Sequence, residues 1–304
     1  MDYLLLQMLN GVQLGLLMFL LAAGLTLTFG IMDLVNLAHG SLYMMGAYIA
    51  WTLIGWTDSF VLGALLALPA TFLLGIVVEA VVARRLYVRD HLDQVLATFG
   101  LILFFNELVR VIWGPAGKSI AVPAFLNRTV EILPGVPYPA YRFAIIVVGA
   151  LVAILLAWLV ARTRIGMLIR AGASNRRMIG ALGVNIELLF TLVFGLGAAF
   201  AGLAGLMAAP ITSVKIGMGD DILILAFVII VIGGIGSIKG AFVPAMVVGQ
   251  IDIVGRAFLP DLLKTFLSAS AAASAAPAIS QVLIYIVMAG VLVWRPTGLF
   301  GQRT

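Results

Sequence analysis

Apolar runs recur along this chain at the length that crosses a lipid bilayer, and they decide most of what it can fold into. They lie near residues 4–29, 34–55, 60–83, 95–113, 141–161, 187–209, 222–236, 241–258 and 278–294. A spanning helix needs about 20 apolar residues, whereas a spanning strand needs about ten residues of alternating polarity. The runs here are continuous, so they predict helices. With 63% hydrophobic and 10% charged residues, the chain has too little polar surface to cover a soluble globule of this size. The expected fold is therefore an all-α polytopic membrane protein, a bundle of about 8–10 transmembrane helices including broken or re-entrant ones. Residues 1–304 read as a single transmembrane domain. The N-terminus has no basic segment before a long apolar run, and reads as a retained first span.

Basic residues orient such a bundle, because Lys and Arg collect in cytoplasmic loops. Arg84, Arg85 and Arg89 follow the third run; Arg162, Arg164, Arg170, Arg176 and Arg177 follow the fifth; Arg295 and Arg303 close the chain. The alternate loops are mixed in sign: Lys118, Arg128 and Glu131; Lys215, Asp220 and Asp221; Asp261 and Lys264. Nine crossings then put the N-terminus outside and the C-terminus in the cytoplasm. The net charge of +5 follows this topology and gives no reason to expect nucleic acid. The chain lacks cysteine, which excludes disulfides and thiolate metal sites, and its two histidines, His39 and His91, are far apart. No metal or cofactor is expected. "GPAGKS" (Gly114–Ser119) has only two residues between its glycines, where a phosphate-binding loop needs four, and it lies in an outer loop, 114–140. If ATP drives this protein, another chain hydrolyses it. The Ala/Ser stretch Ser268–Ser280 reads as a loosely held loop or a short helix.

Three stretches carry more information. In "FGIMDLVNLAHGSLYMMGAY" (Phe29–Tyr48), Asp33, Asn36, His39 and Ser41 interrupt two apolar runs, and Gly30 and Gly40 bracket them. Polar groups at membrane depth are costly unless they are buried in protein or line a wet cavity. One reading is a helix broken within the transport pathway, whose free N–H groups favour an anion. The other is a short turn with Asn36 as a cap. In "VIIVIGGIGSIKGAF" (Val228–Phe242), Gly233, Gly234, Gly236 and Ser237 end a helix in a tight contact or a turn just inside the membrane, and Lys239 follows at the surface. "HGSLYMMGAY" and "IGSIKGAF" share Gly-Ser followed by Gly-Ala-aromatic, the kind of faint echo found in transporters built from inverted repeats. The third stretch, "RTRIGMLIRAGASNRRMIGALGVNIE", fills the cytoplasmic segment 162–186. Alanines favour a short helix there and Gly183 offers an end to it. Its alternating arginines and apolar residues suit either a groove on a soluble partner or the surface of membrane lipid. Two intramembrane pairs, Glu107 with Arg110 and Asp252 with Arg256, have the spacing of ion pairs along one helix, and Glu79 and Glu187 sit at span ends beside arginines.

With these stretches in view, the chain resembles the permease subunits of branched-chain amino acid ABC importers over nearly its whole length. The likeness rests on "NLAHGSLYMMGAY", "GMLIRAGASNRRMIGALGV" and "GMGDDILILAFVIIVIGGIGSIKGA", in the family's order. It implies a complex with a second homologous permease, two cytoplasmic ABC ATPase subunits and an extracytoplasmic substrate-binding protein, in the bacterial inner membrane. It also implies that Gly166, Arg170, Ala171, Asn175, Arg176, Arg177, Ala181 and Gly183 belong to the segment that couples to the ATPase. Where the family often carries an acid within that segment, this chain has Ser174 and Asn175. The expected function is transport, not catalysis: no Ser/His/Asp or paired-carboxylate constellation marks an enzyme. The expected substrates are branched-chain or related small amino acids or amides. Asn36, His39, Gly40, Ser41, Gly233, Gly234, Gly236 and Ser237 are the candidates for the pathway. The rival expectation is a self-contained channel or ion-coupled carrier, which needs a mid-depth carboxylate or proton relay.

Overall fold

The computed structural model of the chain describes residues 2–133, 135–234 and 236–301, with Leu133, Arg176 and Arg177 described by their backbone alone. Ten long helices follow in order among them: α1 Asp2–Met32, α2 His39–Thr57, α3 Phe60–Leu86, α4 His91–Trp113, α5 Ala140–Arg162, α6 Arg164–Ala181, α7 Ile186–Thr212, α8 Met218–Gly233, α9 Ile238–Leu263 and α10 Ala269–Trp294. Seven are long and apolar enough to cross a membrane: α1, α3, α4, α5, α7, α9 and α10. The second and seventh apolar runs form the shorter helices α2 and α8, of 19 and 16 residues. At 1.5 Å per residue α8 is about 24 Å long, less than the roughly 30 Å hydrocarbon layer. The two short helices flank the two breaks read from the sequence.

One expectation needs correction. The Ala/Ser stretch is the first half of α10. Ser268 Oγ caps it by accepting from Ala271 N, and alanine is the strongest helix former. Ala272, Ala276 and Ser280 are fully buried, and Ser280 Oγ donates to Ile251 O of α9 at 3.0 Å. Small side chains thus bring α9 and α10 close, as membrane helices often pack. The loop 114–140 contains a hairpin. Thr129–Leu133 (β1) and Val136–Pro139 (β2) pair antiparallel with a bulge between Glu131 and Leu133. The β-branched alternation of "TVEIL" favours that hairpin locally, which a hydropathy reading overlooks.

The chain divides into two compact units. One comprises Met1–Phe19, Val122–Leu151 and Phe227–Thr304; the other comprises Leu20–Ala121 and Val152–Ala226. Within the second unit α7 is central, with 72% of its most apolar stretch buried, whereas α4 buries 17% and presents Leu96, Phe99, Leu103 and Phe104 outward. In the first unit α10 likewise buries 17%. Outward apolar faces of this kind suit lipid. The anticipated ion pairs are present, Arg110 to Glu107 at 2.9 Å and Arg256 to Asp252 at 2.8 Å.

Candidate functional site

The first break is a non-helical stretch between α1 and α2. Helix α1 ends at Met32, and Asp33 takes a left-handed backbone (φ 54°). Residues 33–36 then run without helical structure, and α2 starts at His39. His39 Nε2 lies 3.2 Å from Leu21 O, eleven residues before the end of α1. At 1.5 Å per residue that is about 16 Å back along α1, so α2 begins alongside α1 well before its end. Non-helical backbone at membrane depth needs protein partners for its polar groups. Gln94 and Thr98 of α4 supply them: Val35 N donates to Gln94 Oε1 at 3.0 Å, and Thr98 Oγ1 lies 3.4 Å from Val35 O.

The candidates at this break come together. Asn36, His39 and Ser41 are 1%, 0% and 1% exposed. Asn36 Nδ2, His39 Nδ1 and Ser41 Oγ have no hydrogen-bond partner among the described residues. Asn36 does not cap α2 with its side chain: the cap position is Ala38, which gives no side-chain bond, and Asn36 contributes only its carbonyl, which accepts from His39 N at 3.4 Å. Gly40 meets the backbone of Gly219 at the start of α8, where a Cβ on either glycine would collide with the other's carbonyl. Beside that contact, Asp220 accepts a hydrogen bond from Asn106 of α4, whose Oδ1 is itself buried without a partner. Neither Asp220 nor Asn106 stands out in the sequence. Asp220 reads there only as an outer-loop charge, and no pattern ties it to His39.

The second break lies in the other unit. Gly234 (φ 94°) and Gly236 (φ 83°) turn the chain out of α8, and Ser237 Oγ caps α9 by accepting from Gly240 N at 3.0 Å. The sequence does not reveal what fills this break. The segment after α10 folds back onto it: Leu299 N donates to Ile232 O and Phe300 N to Gly233 O, each at 2.9 Å. These bonds satisfy carbonyls that α8 leaves open at its end. Gly234 lies against Gly298 and Gly301, where a side chain at 234 has no room. "RPTGLFG" after a terminal span, with its two glycines, is the signal that could have found this contact. Lys239 is exposed, as expected.

The arginine-rich segment is helical but not a single helix. Thr163 Oγ1 caps α6 by accepting from Gly166 N at 3.1 Å. Asn175 leaves helical geometry (φ −156°, ψ 92°), and its Oδ1 accepts from Met178 N at 3.0 Å. Asn175 therefore opens a second short helix, a capping task an acid performs equally well. The helix ends before Gly183, whose φ is 85°. Gly166 is buried, Ala171 is half-buried, and Arg170, Asn175, Ala181 and Gly183 are exposed; the side chains of Arg176 and Arg177 lie outside the described residues. Ile169 and Ile179 pack inward, while Met167, Met178 and Leu182 stay 55%, 63% and 78% exposed.

A family model for the permease component of branched-chain amino acid transport systems matches residues 7–292. The chain belongs to this permease family. It is 30% identical to the high-affinity branched-chain amino acid transport system permease protein BraD of Pseudomonas aeruginosa, over 97% of this chain and 95% of that protein. It is 28% identical to LivH of Escherichia coli, over 99% and 96% of the two chains. A probable branched-chain amino acid transport permease of Methanocaldococcus jannaschii is 27% identical over 94% and 89%. No solved structure matches. With seven helices among the described residues long and apolar enough to cross a membrane, this permease is a multi-pass membrane protein. In it, the stretch between α1 and α2 and helix α6 belong to one unit, and the Gly233–Ser237 break to the other.

Proposed function

We propose that this permease is the membrane subunit of an ATP-driven importer for branched-chain or related small amino acids. In this reading a second homologous permease completes the pathway, two cytoplasmic ABC ATPases drive it, and an extracytoplasmic binding protein delivers the substrate. All of residues 1–304 serve as one permease domain, in the bacterial inner membrane. The N-terminus lies outside and the C-terminus inside, with segment 162–186 as the coupling element. The Arg84–Glu187 contact at 3.6 Å supports that orientation, since it sets the end of α3 and the start of α7 on one side.

One observation carries the transport reading: three fully buried polar atoms, Asn36 Nδ2, His39 Nδ1 and Ser41 Oγ, gather without hydrogen-bond partners among the described residues at the start of a helix that no side chain caps. Buried polar groups are normally paired, and exceptions point to function. An amino acid has a carboxylate, an ammonium and here an apolar side chain. The N-terminal end of α2, which no side chain caps, and Asn36 Nδ2 are suited to the carboxylate. Asp220, next to the Gly40–Gly219 contact, is suited to the ammonium. The apolar surroundings, with Leu34 and Leu42 buried, suit the side chain. The Gly233–Ser237 break is the matching element of the other unit.

Substitution of Asn36 by Asp sets a negative charge where the carboxylate is expected. Uptake at saturating loaded binding protein is expected to fall at least about tenfold, the value of one buried hydrogen bond to a charged group. Ligand affinity of the binding protein and assembly of the complex stay unchanged. Equal uptake by Asn36→Asp and the parent would remove this segment from the pathway.

A further inference from the structure

Two buried polar clusters stand between α6 and the stretch that joins α1 to α2. At the inner end of α3 a π-turn, Glu79–Ala83, brings Glu79 and Arg84 onto one face. Glu79 is fully buried. Its carboxylate accepts from Arg84 Nη2 at 3.0 Å and Nε at 3.3 Å, from the Tyr87 hydroxyl at 3.0 Å and from the Thr191 hydroxyl at 2.8 Å. Thr191 also accepts from Arg84 at 2.8 Å. Thr191 and Phe190 lie in the second turn of α7, which directly follows α6. The Tyr87 ring packs edge-on against Phe190 at 5.1 Å, and its hydroxyl reaches Met32 Sδ, at the end of α1, at 3.6 Å. Burial, and then the Glu79 charge, push the Tyr87 hydroxyl above the ordinary phenol range, so it remains a donor.

The second cluster centres on Gln94, 2% exposed. Its Nε2 donates to Leu86 O and Arg89 O, both at 3.3 Å, while its Oε1 accepts from Val35 N. The residues from Arg84 to Arg89 join the two clusters covalently. Helix α6 rests on the same body: a Cβ on Gly172 would lie 3.4 Å from Ile31 Cγ2 and 3.6 Å from Leu189 Cδ2. All these residues belong to one compact unit.

We propose that Glu79, Tyr87 and Gln94 are positioning residues that carry a displacement of α6 to the stretch between α1 and α2. This rests on the importer reading above. Buried polar networks with every member satisfied are stiff, and removing one partner is costly. The Glu79 cluster therefore moves the end of α3 together with the start of α7. Gln94 passes that movement to Val35, the neighbour of Asn36. A soft, apolar junction would absorb it.

The experiment uses the assembled importer in vesicles, with substrate transported and ATP hydrolysed measured together. Tyr87→Phe keeps the ring on Phe190 and removes the hydroxyl; Gln94→Met keeps length and removes the side-chain hydrogen bonds to Val35, Leu86, Arg89 and His91. Both variants are expected to assemble and hydrolyse ATP, while substrate moved per ATP falls about tenfold, within the range of ordinary coupling energies. If transport and hydrolysis fall together at a constant ratio, or neither changes, the three residues are merely structural and the proposal is overturned. Should Gln94→Met fail to assemble, Tyr87→Phe decides by the same ratio. Uptake by the parent chain in the absence of ATP would instead overturn the importer reading itself.

Discussion

Replacing Met178 and Leu182 by glutamate is expected to abolish ATP-driven uptake while the chain still inserts and folds. Both side chains are more than half exposed on a segment that turns Ile169 and Ile179 toward the protein. An exposed apolar pair framed by arginines has two uses, a groove on a partner or the anionic lipid surface. Buried apolar anchors at an interface are each worth about 2 kcal/mol or more, so losing both should lower ATPase binding by at least about 100-fold. Co-purification of the ATPase with the tagged permease measures this directly. A lipid-resting helix would tolerate the change with the ATPase still bound, and that result would return α6 to the membrane surface.

The second large effect concerns the crossing of α2 and α7. A Cβ on Gly46 would run into the Gly202 backbone, and one on Gly205 into Tyr43 O. Membrane helices approach this closely only where side chains are absent. Gly46→Ala should cost about 1–3 kcal/mol or more, because rigid backbone, not a side-chain tip, must give way. The thermal midpoint in detergent and the amount of folded chain in the membrane should both drop. Gly100→Ala is the matched control: the space beside Gly100 of α4 is open, and the change should be neutral or stabilise by up to about 1 kcal/mol. Equal behaviour of the two variants would contradict the packing described.

Much of this molecule was legible in the sequence because lipid imposes simple rules. Apolar runs located the long helices, seven of which among the described residues could cross a membrane. Both breaks were visible, since polar residues and glycines clustered within an apolar run mark a helix that stops or turns there. The spacing of Glu107–Arg110 and Asp252–Arg256 was enough to name those pairs. Contacts that join distant stretches were not legible. Nothing local to Val35 says that Gln94 and Thr98 will hold it, and nothing in α8 says that Leu299 and Phe300 will cap it. Glu79 was visible beside its arginines, but its bonds to Tyr87 and Thr191 depend on a π-turn that hydropathy does not register. The helix at Ser268–Ser280 was harder to see because its strength comes from alanine propensity, and hydropathy weighs alanine lightly. At the site, Asn36, His39 and Ser41 stood out as polar residues in an apolar run, whereas Asp220 gains meaning only with Gly40 seen against Gly219.

The central claim is that α6 faces the cytoplasm and grips a separate ATPase. The parent chain has no cysteine, so a single Arg170→Cys substitution gives a clean probe at an exposed site. A membrane-impermeant maleimide should label it in inside-out vesicles and not in intact cells, and the assembled ATPase should protect it. Labelling from the outside of intact cells would contradict both the orientation and the coupling role.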